Sequence, residues 1–136
     1  MSFSKRYAEL AGKHLTVPLD PSHGWSEATL AEAEARLGFR LPAAVRAFYT
    51  TVGRHPELDL HPIVPPEELE VEERFLFFLH ENQGVVSWGV KVEDVGRDDP
   101  EAWQRINMEP PEWHSEETTV SGLIQSMWEF FFPAEA

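Results

Sequence analysis

The sequence predicts an acidic, soluble α+β domain. Helical periodicity marks both ends of the chain. A hairpin of two apolar strands marks its middle, Phe75–Leu79 and Val85–Val92, joined by the turn residues Glu81–Gly84. The 136 residues contain no repeat, low-complexity tract or Gly/Ser-rich linker, so residues 1–136 are read as one domain. That length buries a core without disulfides or metals. A composition of 42% hydrophobic and 26% charged residues is ordinary globular usage, which argues against disorder.

Each element has its own signal. Phe3, Tyr7, Leu10 and His14 fall at helical spacing and predict a helix over Phe3–Leu15. Pro18, Pro21 and Gly24 then break the chain into a loop. Ser26 is placed to cap the next helix, because its hydroxyl accepts from an unpaired first-turn amide; Glu27 complements the positive end of the dipole. Leu30, Ala33 and Leu37 share one face, and Gly38 suits the left-handed residue that ends the helix. Pro42 fits the first position of a second helix, whose stripe is Val45, Phe48, Tyr49 and Val52 and whose stop is Gly53. So short a connection predicts that the two helices pack as a corner or hairpin.

From Arg54 to Glu73 the prolines at 56, 62, 65 and 66 exclude a long helix or central strand. Ile63 and Val64 suit a short edge strand, and Pro66–Leu69 one helical turn. Phe75–Leu79 is continuously apolar, which predicts burial on both faces and a central place in the sheet. In the next strand Val86, Trp88, Val90 and Val92 alternate with smaller or polar residues, so one face is better buried. Asp98-Asp99-Pro100 reads as a turn before a short strand, Trp103–Ile106, and Glu109–Glu117 as loop. Thr119 suits the cap of a last helix, with Leu123, Ile124, Met127, Trp128 and Phe131 as a wide stripe and Pro133 as its close.

Charge narrows the function classes. Lys and Arg total 11 against 24 Asp and Glu, a formal charge of −13. Such a chain repels phosphate backbones and anionic lipid, and it has no basic footprint for nucleic acid. A basic partner would be steered in by the same field, which also serves simple solubility. The absence of cysteine excludes disulfides, thiol catalysis and Cys-based zinc sites. No signal peptide is visible in Met1–Leu10, and no apolar run approaches the roughly 20 residues of a membrane span, so the chain is read as cytoplasmic.

The run Leu37-Gly38-Phe39-Arg40-Leu41-Pro42, followed by Val45, Phe48, Tyr49 and Gly53, resembles the opening of the SUKH superfamily. Glu81–Val85 with Trp88 resembles the family's central hairpin, Asp98-Asp99-Pro100 its Asp-Pro element, and Thr119–Phe132 its closing helix. The resemblance runs from Trp25 to Phe132; the first twenty residues have no counterpart, and Arg54–Glu73 fits loosely. It implies a mainly antiparallel twisted sheet with helices packed around it. It also implies a function. Bacterial members are inferred to be immunity proteins that bind and neutralise a cognate polymorphic toxin, often a nuclease, and fungal members are cell-wall regulators that act as scaffolds.

Enzymatic chemistry finds no such support. The histidines at 14, 23, 55, 61, 80 and 114 make no metal-ligand spacing. His55 and His61, with Glu57 and Asp59, are either a loose metal cluster or exposed loop residues. Neither a phosphate loop nor a nucleophile elbow is present. No cofactor or metal is expected. The acids concentrate in Glu57–Glu73 and Glu93–Glu117. The partner-binding candidates there are Glu67, Glu68, Glu70, Glu93, Asp94, Asp98, Asp99 and Glu101, with Trp103 and Trp113 as aromatic anchors in irregular surroundings. Asp98 is alternatively a cap for local amides. The expected partner is a basic toxin domain.

Overall fold

The computed structural model describes residues 2–133. In chain order its elements are α1 (Phe3–His14), α2 (Glu27–Leu37), α3 (Ala43–Val52), β1 (Val71–Glu72), β2 (Phe75–His80), β3 (Val86–Lys91), β4 (Glu101–Ile106), β5 (Glu112–Thr119) and α4 (Val120–Phe131). The five strands form one antiparallel sheet in sequence order, β1-β2-β3-β4-β5. Single 3-10 turns occupy Pro21–His23, Pro56–Leu60, Pro66–Glu68 and Val92–Asp94. The α+β architecture is as the sequence predicted, and its antiparallel sheet is as the family resemblance implied.

Local chemistry sets the helix ends. Ser2 caps α1 and Ser26 caps α2, each hydroxyl accepting at 3.1 Å from an amide three residues on, Lys5 and Thr29. Gly38 closes α2 at φ 88°, a conformation that a Cβ would oppose. Thr119 caps α4 through the amide of Gly122 at 3.3 Å. Pro42 is the cap of α3 and not its first helical residue as expected, since the helix starts at Ala43, and its carbonyl accepts from Val45 and Arg46.

The main core lies between the helices and one side of the sheet. Tyr7, Leu30, Val45, Phe48, Tyr49 and Val52 meet Leu76, Phe78, Val90, Ile124 and Trp128. Both buried phenols are satisfied: Tyr7 donates to the Ala44 carbonyl at 2.8 Å and Tyr49 to that of Val64 at 2.6 Å. Burial holds both hydroxyls well above the ordinary tyrosine pKa.

Several expectations are corrected. α3 packs chiefly on α1, not on α2. The α2–α3 corner is held instead by polar ties: the Glu34 carboxylate accepts from the Leu41 amide at 2.8 Å, and Arg46 pairs with Glu34 and Glu27. β2 is second in the sheet, not central, yet its first five residues are buried. β3 stops at Lys91, and Val92 opens a turn. Both its faces carry buried residues, since Ser87 and Gly89 are covered as well as Val90. Ile63 makes a single bridge to Leu79 and no strand. Glu112–Thr119 is not loop but a full strand. Ladder bonds come from the backbone, so a polar run at a sheet edge can form one.

Candidate functional site

The side of the sheet away from the main core carries a second aromatic layer. Paired residues in an antiparallel ladder share a side, and the register places Glu72, Phe75, Lys91 and Gly89 there with Trp103, Arg105, Trp113 and Ser115. Along β4, Glu101, Trp103 and Arg105 alternate with the fully buried Ala102. Phe75 stacks on Trp113 with centroids 4.0 Å apart and meets Trp103 edge-on at 6.0 Å. Phe77 lies 5.7 Å from Trp113. Two strands separate β2 from β5, so this stack requires the sheet to curl until its far hairpin folds over Phe75. Trp103 and Trp113 are thus half-buried strand residues: Trp103 lies in the strand the sequence predicted, and Trp113 in a strand where a loop was expected.

Two cations seal this layer. Lys91 Nζ stands 4.3 Å over the Trp103 ring, and the Arg105 guanidinium 4.3 Å over Phe77. Arg105 Nη1 also reaches Glu72 at 2.9 Å, which spans the sheet from β4 to β1. Gly89 lies beneath, paired with Phe77 and Trp103; a Cβ there would stand 2.2 Å from the Leu76 carbonyl oxygen.

Next to this layer runs an open groove of about 520 Å³. Glu67, Glu68, Glu70 and Glu72 line it together with Phe77, His80 and Arg105. Arg36 of α2 fixes the acidic wall, donating to the carbonyls of Leu69 at 2.7 Å and Pro66 at 2.9 Å. Glu67, Glu68 and Glu70 are exposed, and among the described residues none of the three has an ion-pair partner. His80 is held below the usual histidine pKa, first by desolvation and then by Arg105, with Glu72 opposing.

The structure brings seven of the ten candidates to this side or its border: Glu67, Glu68, Glu70, Glu93, Glu101, Trp103 and Trp113. Glu93 joins through Lys91 at 3.9 Å, and Glu101 accepts from Ser115 at 2.7 Å. Asp94 turns instead to Arg97 at 3.7 Å. Asp99 takes the capping role expected of Asp98. Its carboxylate accepts from the Ser121 amide at 3.0 Å and hydroxyl at 2.6 Å, and Arg6 donates to that hydroxyl at 2.7 Å. The Asp98 side chain borders a separate open cleft with Arg40, Arg46 and Arg97. Sequence reasoning missed Lys91, Arg105 and Arg36, and read Phe75 as ordinary core. The period-two pattern Glu101/Trp103/Arg105 was the available signal.

His55 and His61 form neither a metal pair nor an exposed loop. His55 is 2% exposed and tilts on His23 at 4.5 Å, whereas His61 lies between Trp88 and Phe131. Among the described residues no group of three His, Asp or Glu could hold a metal ion, and no helix is long and apolar enough to cross a membrane.

The sequence profile of the SMI1 / KNR4 family (SUKH-1) matches residues 24–121, from the residue before Trp25 to the first turn of α4. No curated protein and no solved structure matches the chain.

Proposed function

The chain belongs to the SMI1/KNR4 family (SUKH-1), and from that premise we propose that it is a cytoplasmic immunity-type protein that binds and neutralises a cognate toxin domain. The family includes immunity proteins and the Smi/Knr regulators, and protein binding is what its members share. In this reading residues 1–136 act as one domain. Glu67, Glu68 and Glu70 meet a basic surface of the toxin, and Trp103 and Trp113 stand beside them as partly buried anchors. The observation that carries it is the row of unpaired carboxylates next to a stiff aromatic face. The carboxylates attract and steer a cationic partner, while the face supplies apolar contact once water leaves. A nuclease fits because it must present cationic groups to its own substrate, and an acidic protein seated there blocks access without chemistry of its own.

The test is co-purification, at low salt, with the toxin domain encoded beside this gene, together with protection of cells that express that toxin. A stable complex and protection are expected. Absence of both sinks the proposal. The second reading, a regulatory scaffold, rests on the same family, which also includes the Smi/Knr regulators. Affinity purification from the native cell separates the two: one partner at near-equal amounts supports immunity, several substoichiometric partners support the scaffold.

A further inference from the structure

β5 is the last strand of an open sheet, so one side of its backbone faces away from β4. Among the described residues no backbone group of Glu112–Glu116 bonds outside the sheet. The regular ladder stops there: pairing with β4 shifts register between Glu101 and Trp103, and Glu117 adopts φ 58°. A sheet edge left open in this way is a template for another strand unless something guards it. Here the guard is charge. β5 holds Glu112, Glu116 and Glu117 and no Lys or Arg. Glu112 and Glu116 reach only polar neighbours, His114 and Gln104.

That guard selects the occupant. Antiparallel pairing of β5 with a second copy would set glutamates against glutamates, between chains of net charge −13. A strand bearing Lys or Arg meets attraction at the same places. The two sides of β5 differ as well. Glu112, His114 and Glu116 project to one side, and Trp113 and Ser115 to the other, where Trp113 joins the aromatic layer. An added strand therefore wants basic residues at alternate positions and apolar residues between them.

We propose that the free edge of β5, from Glu112 to Glu116, is a strand-addition site for an extended segment of a partner protein that alternates Lys or Arg with apolar residues. The inference rests on the protein-binding reading above, but neither on the acidic groove nor on the partner's being a toxin.

The test uses the full chain, labelled for amide NMR, at low ionic strength. The probe is a synthetic peptide of alternating lysine and valine, alongside the same peptide N-methylated on every amide, because methylation of alternate amides would leave one edge of the strand free to pair. The expected result is that the peptide shifts the Glu112–Glu116 amides and slows their hydrogen exchange about tenfold or more. The N-methylated peptide, unable to complete the ladder, does neither. Glu112→Lys with Glu116→Lys abolishes the effect while thermal unfolding stays in place. Equal binding of the N-methylated peptide overturns the proposal. So do shifts confined to the Glu67–Glu72 groove, no binding at all, or self-association of the chain through β5. With the toxin domain in hand, a complex that leaves the β5 amides unprotected overturns the edge and spares the immunity reading. β5 protection by the peptide without a toxin complex does the reverse.

Discussion

His80 shows how single residues set the behaviour of the groove. Ser87, 1% exposed, accepts from Asn107 Nδ2 at 3.1 Å, which leaves its proton for His80 Nδ1 at 2.8 Å. That bond needs an unprotonated Nδ1; a charged ring would leave the Ser87 hydroxyl proton without an acceptor. His61, lowered mainly by desolvation with Glu81 opposing, likewise favours the neutral form between Trp88 and Phe131. Both folded pKa values lie below the ordinary 6.5, so the unfolded chain binds more protons in that window. The stabilisation is complete above 6.5 and is lost as pH falls through the folded values. The urea midpoint is expected to drop between about pH 7 and pH 5, and His80→Gln with His61→Gln to flatten that drop. An unchanged slope in the double variant would refute the assignment. Gly89→Ala is expected to destabilise by about 1–3 kcal/mol in urea unfolding, because the new methyl meets backbone, not a movable side chain. Neither effect was legible in the sequence. His80 and Ser87 are seven residues apart and meet only across the hairpin, and Gly89 reads there as one more alternating position.

At the scale of elements, what the sequence disclosed followed from how local the cause is. The N-terminal ends of α1, α2 and α4 are capped by side chains within three residues, and the caps at Ser26 and Thr119 and the close at Gly38 stand where spacing put them. β5 was hidden because its partner lies across a turn and its residues are mostly acidic or polar. The packing of α3 on α1 was hidden because a short connection fixes proximity in the chain, not which stripe meets which. Two contacts between elements give predictions. Arg36→Ala removes both bonds that hold the acidic turn to α2. It should cost about 1–3 kcal/mol and speed limited proteolysis between Glu67 and Glu70. Asp99→Ala frees the first turn of α4 and the Ser121 hydroxyl that Arg6 shares. A loss of about 1–2 kcal/mol is expected in thermal unfolding, with Asp98→Ala near neutral as the control.

For the whole molecule, the charge of −13 acts through its distribution. The layer of Phe75, Phe77, Trp103 and Trp113 stiffens one side of the sheet without help from the helices, and the unpaired acids stand on the turn beside it. Glu67→Lys, Glu68→Lys and Glu70→Lys together should slow association with a basic partner roughly tenfold at low salt and remove most of its salt dependence. Unfolding free energy should move by less than about 0.5 kcal/mol per substitution. Stopped-flow mixing and urea titration read the two effects separately. This division has a consequence for descent. The acids that would steer a partner lie on a surface turn, while Trp103 and Trp113 beside them also hold the sheet's shape. A lineage can therefore change the charge it offers to a partner by rewriting a few codons of the turn, while selection on the aromatic layer stays unchanged.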